Sequence, residues 1–281
     1  PAIMLSFVIA GIACALAGLC YAEFAALLPV SGSAYSYSYA TLGEFVAWFI
    51  GWCLVLEYLF ASSTVAVGWS GYLVSFLTST LGIPFPAELA GAPIAWENGG
   101  FVRTANIFNL PAVVIVAAVS GLCYVGITQS AFVNGIVVAI KVTVIAAFLG
   151  VGIFYVDPAN WTPFIPENTG PGQFGMEGVF RAATVVFFAY IGFDAVSTAA
   201  GEAKNPQRDM PIGILGSLAL CTVIYIAVCA VLTGMTPFTE LNTAKPVATA
   251  LEPYAELAWL KTAVEIGAIA GLSLSLIHIS E

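Results

Sequence analysis

The sequence predicts an all-α, polytopic membrane protein, and three observations predict it. Only 8% of the 281 residues are charged, against about 25% in soluble domains, too few to cover a water-facing surface. Hydrophobic residues make up 60% of the chain, with a mean hydropathy of +0.98. The apolar residues gather into segments near the ~20-residue length of a spanning helix, and these are too long for membrane strands.

Seven such segments are predicted, at about 2–26, 43–78, 109–125, 132–155, 179–200, 211–234 and 262–276. The first has no charged side chain from Pro1 to Ala22. The second is long enough to require tilt. Three long connections, 79–108, 156–178 and 235–261, share one side of the membrane by parity. The short connections 27–42, 126–131 and 201–210 share the other. Within 27–42, Pro29 and Gly32-Ser33-Ala34-Tyr35, after Glu23, read as a turn or a plain loop. Lys204 and Arg208 concentrate positive charge in one short loop, which places the short-loop side in the cytoplasm.

Composition also excludes functions. The net charge is −9 and the basic residues form no patch, so no nucleic-acid partner is expected. The six cysteines lie in apolar segments without a CxxC pair, which argues against a disulfide framework or a zinc site. No nucleotide, hydrolase or metalloprotease motif is present, so no cofactor, metal or enzymatic activity is expected.

Three polar residues stand out inside apolar runs. Lys141 lies in FVNGIVVAIKVTVIAAFLGVGIF (132–154), roughly 13 Å along a helix from one end of that run. The hydrocarbon core is about 30 Å thick, so the amine sits too deep to snorkel easily. Intramembrane charges mark ion, proton or substrate pathways. Lys141 is therefore a candidate proton-coupling group, with a fixed structural ion pair as the alternative. Glu57, in FIGWCLVLEYLFASS, is a candidate partner for Lys141 or for a substrate ammonium; the alternative is a protonated acid bonded to a neighbouring helix. Asp194 follows Gly192 in VVFFAYIGFDAVSTAAGE. Glycine weakens a helix and aspartate competes for its hydrogen bonds. A local break there would free carbonyls for an ammonium and an open N-terminus for a carboxylate, the two charged groups of an amino acid. An unbroken helix with Asp194 facing water near its cytoplasmic end is the alternative.

At four stretches the sequence resembles the amino acid–polyamine–organocation superfamily of permeases, most closely bacterial members of its cationic amino acid transporter family. They are YAEFAALLPVSGSAYSYSYATLGE (21–44), GWCLVLEY (51–58), IKVTV (140–144) with FYVDPANWTPFIP (154–166), and FFAYIGFDAVSTAAGEAKNPQRDMPIGI (187–214). The resemblance implies an inverted-repeat, LeuT-like transporter fold with broken first and sixth helices. The seven segments here would be its second through eighth helices, so a fragment is expected. The chain opens on Pro1, without a basic region before its first apolar run.

By the same resemblance the sixth-helix break falls at FFAYIGFD. Carbonyls of Phe188, Ala189 and Ile191 would take the substrate amino group next to Gly192, with Asp194 beside the substrate side chain or a water chain. Lys141 matches a fifth-helix lysine that takes the place of a sodium ion, which implies proton coupling, and Glu57 a third-helix glutamate near the pocket. The implied activity is secondary active transport of amino acids with protons, by alternating access, in a multi-pass protein of the plasma or inner membrane. An ion channel or a non-transporting scaffold subunit are the other readings. Cys53 and Gly201 depart from acids common in relatives. The permease domain is expected over 1–272. The tail 273–281 (SLSLIHISE) leaves the family pattern and reads as translated adaptor sequence.

Overall fold

The computed structural model describes residues 1–97, 100–126, 131–170 and 172–280. The connection predicted at 126–131 lies outside them except at its two ends, as does the last residue of the 273–281 tail. The elements in chain order are α1 (Ile3–Leu27), α2 (Ser33–Leu42), α3 (Glu44–Ser75), β1 (Ile94–Glu97), β2 (Gly100–Arg103), α4 (Leu110–Val125), α5 (Ala131–Gly152), α6 (Gly175–Val186), α7 (Pro206–Met235), α8 (Pro246–Leu251) and α9 (Ala258–Ser280). Among the described residues, six helical stretches are long and apolar enough to cross a membrane. The protein is an all-α polytopic membrane protein.

The helix at the third predicted segment is shorter than any of those six stretches. Helix α4 has 16 residues, about 24 Å at helical rise, which falls short of the ~30 Å hydrocarbon core. Its start is well determined: the Asn109 side chain accepts from the Ala112 N–H at 3.1 Å and from the Ser70 hydroxyl at 2.6 Å. Three connections hold structure that periodicity did not foretell. Residues 33–42, read as a turn or loop, form α2. The 79–108 loop contains the antiparallel pair β1–β2, and α8 interrupts 235–261. Helix α9 runs on through residues 273–280, with Leu276 buried.

The chain divides into two compact units. One comprises Pro1–Glu57 and Asp157–Gly234, the other Tyr58–Val156 and Met235 onward. In the first, α1 buries the face Phe7, Gly11, Cys14, Gly18, Ala22 and Ala25, a spacing of three and four that lines one side of a helix. It packs against α6 and α7. The Ser6 hydroxyl donates to the Val179 carbonyl at 2.9 Å and the Tyr190 hydroxyl to the Phe7 carbonyl at 3.0 Å. The rings of Phe7, Tyr190 and Tyr225 meet at 5.3–6.2 Å between centroids. In the second unit α9 is central. It packs against α5 and α4, and the Trp69 indole N–H of α3 donates to Ser273 at 2.8 Å.

Candidate substrate site

Helix α6 stops at Val186, midway along its apolar run. The chain continues as a 3-10 turn over Phe187–Tyr190, an irregular turn through Ile191–Asp194, and a second 3-10 stretch over Ala195–Glu202. The switch shows in the hydrogen bonds, where the Ile191 N–H reaches the Phe188 carbonyl at 3.2 Å and the Phe193 N–H reaches Tyr190 at 3.3 Å. Both are three-residue closures, the tighter cousin of the α-helix. Gly192 has φ +113°. Side-chain-bearing residues avoid that region, so glycine is what lets the chain turn here. Of the two sequence readings, the broken helix is the one observed.

Asp194 is 4% exposed. Its carboxylate accepts from the Gly192 N–H at 3.2 Å, so the break supplies one of the acid's own partners. Its carbonyl is also engaged. The Ser33 and Ser197 hydroxyls lie 3.3 and 2.6 Å from it, and 2.9 Å from each other. These contacts tie the first turn of α2 to the exit of the break. Ser33 itself sits at φ +46°, uncommon for a residue with a β-carbon. On the other side the Tyr225 hydroxyl of α7 donates to the Ala189 carbonyl at 2.9 Å. A carbonyl has two lone pairs, so this bond anchors the unwound strand and leaves acceptor capacity on it.

Glu57 is half-buried near the middle of α3, in the same unit, and it, Asp194 and Tyr21 lie within electrostatic reach of one another. Tyr21 stacks edge-on to Phe193 at 5.5 Å and to Tyr37 at 6.3 Å. The Tyr37 phenol is 4% exposed and approaches Ser197 without completing a hydrogen bond of good geometry; burial pushes it above its ordinary range, with Ser197 pulling the other way. The unit therefore gathers Asp194, Glu57, Gly192 and the 188–191 backbone. Glu23 is exposed on α1. Lys141 belongs to the second unit, at mid-length of α5. Its methylenes run against α9, 3.1 Å from where a β-carbon on Gly271 would stand, and its side chain is exposed.

Sequence reasoning missed Ser197, Tyr37 and Tyr225. Tyr225 left a trace as the only hydroxyl-bearing ring in the aliphatic run CTVIYIAVC. Ser197 was three residues past Asp194, the spacing at which a hydroxyl caps the preceding carbonyl. Among the described residues no cluster of histidine, cysteine or acid fits a metal ion. Among the described residues no disulfide joins any of the cysteines.

Membrane-length helices, one of them opened at mid-length beside a buried acid, define a polytopic membrane protein with a discontinuous spanning helix. The comparisons make that specific. The family profile described as "Amino acid permease" matches residues 1–280, and the chain belongs to that family. It is 48% identical over 273 residues to the methylthioribose transporter of Bacillus subtilis, covering 97% of this chain and 56% of the relative. It is 48% identical over 274 residues to the branched-chain amino acid permease BcaP of the same organism, with 97% and 56% covered. It is 38% identical over 280 residues to the chloroplastic cationic amino acid transporter 9 of Arabidopsis thaliana, with 99% and 47% covered. The chain spans about half the length of the curated relatives it matches.

Proposed function

We propose that the protein of which this chain is part carries amino acids across the plasma or inner membrane by alternating access, coupled to protons. The observation that carries the reading is the opening of α6 at Phe187–Asp194, with Gly192 at φ +113° and the buried Asp194 beside it. In this reading the carbonyls of Phe188, Ala189 and Ile191 receive the substrate ammonium. Gly192 keeps the strand open, and Asp194 borders the side-chain end of the site. Carbonyls at a helix break are suited to this because they are fixed and already oriented; Phe188 and Ala189 each accept one bond, from the Ile191 N–H and the Tyr225 hydroxyl, and keep a second lone pair. Glu57 and Lys141 are the coupling groups: an amine on an apolar helix changes charge according to whether water or an acid reaches it.

Which substrate is carried follows less directly. The relatives are named for branched-chain and cationic amino acids and for methylthioribose. The acids Asp194 and Glu57 favour a substrate with a positive group, which every amino acid has and methylthioribose lacks. Amino acids are therefore the first reading, and methylthioribose the second, on the strength of the 48% identity.

The test is uptake by the full-length protein in proteoliposomes, with and without an inward proton gradient. Saturable uptake of labelled leucine or arginine, accelerated by the gradient and competed by unlabelled amino acids, is the expected result. Competition by methylthioribose alone supports the second reading. Non-saturating flux points to a channel, and no flux at all to a scaffold subunit.

A further inference from the structure

The first turn of the break is held by two helices. From α7, the Tyr225 hydroxyl donates to the Ala189 carbonyl at 2.9 Å. The next residue, Tyr190, ends the turn Phe187–Tyr190 and is 4% exposed. Its hydroxyl donates to the Phe7 carbonyl of α1 at 3.0 Å. A carbonyl has no hydrogen to give, so the phenol is the donor in this pair. The Tyr190 ring meets Tyr225 edge-on at 5.4 Å and Phe7 at 6.2 Å. Bonds from adjacent residues to two different helices fix both the rotation and the rise of a four-residue turn. One bond alone leaves it free to swivel.

The hold on α1 depends on a glycine. Phe7 lies inside α1, so its carbonyl already closes a helical bond with the N–H four residues on, at Gly11, and the phenol takes the second lone pair. That approach needs a bare helix surface at residue 11. A β-carbon on Gly11 would stand 3.1 Å from Tyr190 Oη and 3.1 Å from Thr222 Oγ1 and Cγ2. Glycine is a poorer helix former than alanine. What it provides at this position is room for the phenol.

We infer that Tyr190 is a positioning residue of the transport site: anchored on Phe7 in the space left by Gly11, it sets the direction in which the Phe188 and Ala189 carbonyls face. The inference rests on the proposed binding of a substrate ammonium by those carbonyls. The phenol itself is turned to α1 and acts through the backbone. An ammonium needs oxygens that converge on it. A turn that swivels presents them for only a fraction of the time, and the apparent affinity falls by that fraction. Once bound, the ligand holds the carbonyls itself, so the maximal rate is spared.

Uptake kinetics and equilibrium binding of a labelled amino acid by the full-length protein in proteoliposomes test the inference, together with hydrogen exchange of ligand-free peptides across 187–194. Tyr190→Phe keeps the ring and removes the hydroxyl. KM and Kd are expected to rise by about fivefold, the equivalent of one neutral hydrogen bond, at an unchanged maximal rate and with faster exchange in 187–194. Gly11→Ala improves α1 as a helix and crowds the phenol, and is expected to give the same signature. Both variants act through one oxygen, so the double variant should bind no more weakly than Tyr190→Phe alone. Ser6→Ala removes another bond from α1 to α6, the one to the Val179 carbonyl, away from the break, and should leave the affinity unchanged. Wild-type affinity in Tyr190→Phe overturns the inference, as does an equal loss in Ser6→Ala or additive losses in the double variant. Should the wild-type protein bind no amino acid, the transport reading fails, and ligand-free exchange decides on Tyr190: faster exchange of 187–194 in Tyr190→Phe supports the hold, and unchanged exchange overturns it.

Discussion

Two buried acids in two apolar helices are housed in opposite ways. Asp194 sits where α6 comes apart, and takes a partner from its own opened backbone, the Gly192 N–H at 3.2 Å. Glu265 sits in a continuous helix, α9, and borrows two hydroxyls from a π-turn in α3. A buried carboxylate needs donors in either case, because an unpartnered one is too costly to keep. The consequences differ. Opening a helix also releases carbonyls, and it leaves a site with unused capacity. Borrowing side-chain partners engages both oxygens of the acid and ties α9 to the end of α3. The first arrangement suits a ligand, the second a fixed contact between α9 and the end of α3.

The sharpest way to break the comparison is to forbid the opening. Gly192→Val puts a branched residue at φ +113° with no atom within 4 Å of where its β-carbon would stand, so the effect falls first on the backbone. Strain of about 1–3 kcal/mol is expected to lower uptake by the full-length protein by between fivefold and a hundredfold, roughly. Gly216→Val on α7, equally uncrowded and in ordinary helix, is expected to change uptake far less. Equal effects would mean that the turn at Gly192 is incidental.

Lys141→Met addresses coupling apart from binding. Uptake driven by a pH gradient should vanish while substrate still protects or quenches in a binding assay. Gradient-driven uptake at the wild-type rate would remove Lys141 from the mechanism. Asp194→Asn keeps the shape and one acceptor, and is expected to change substrate preference or proton dependence at near-normal protein levels; a fall in protein level alone would make the residue structural. The smallest effect is expected from Tyr225→Phe, which removes the bond to the Ala189 carbonyl. A neutral hydrogen bond is worth about 1 kcal/mol, so substrate affinity should move by about fivefold. A larger loss would mean the hydroxyl itself touches substrate.

The helical class and the position of the α6 break were legible because both rest on local signals: run length, and a glycine two residues before an acid. What holds the break in place was not. Ser33 and Tyr225 reach it from positions remote in sequence, and no spacing rule links them to Asp194. Helix α2 was hidden for a different reason. SAYSYSYATL alternates tyrosine and serine and carries no apolar period, so Pro29 and Gly32 read as a turn when they mark a helix start. Glu265 was legible and overlooked. It is a lone acid in VEIGAIAGLSL, the kind of exception that singled out Lys141. Its π-turn partners were not, since FLTST reads only as the end of a long helix.

The most direct test of the account is a map of the full-length protein with an amino acid bound. The expected result places its ammonium within hydrogen-bond distance of the Phe188, Ala189 or Ile191 carbonyls and its side chain toward Asp194. An unbroken α-helix through residues 187–194 in that complex, or a ligand seated away from them, would contradict it.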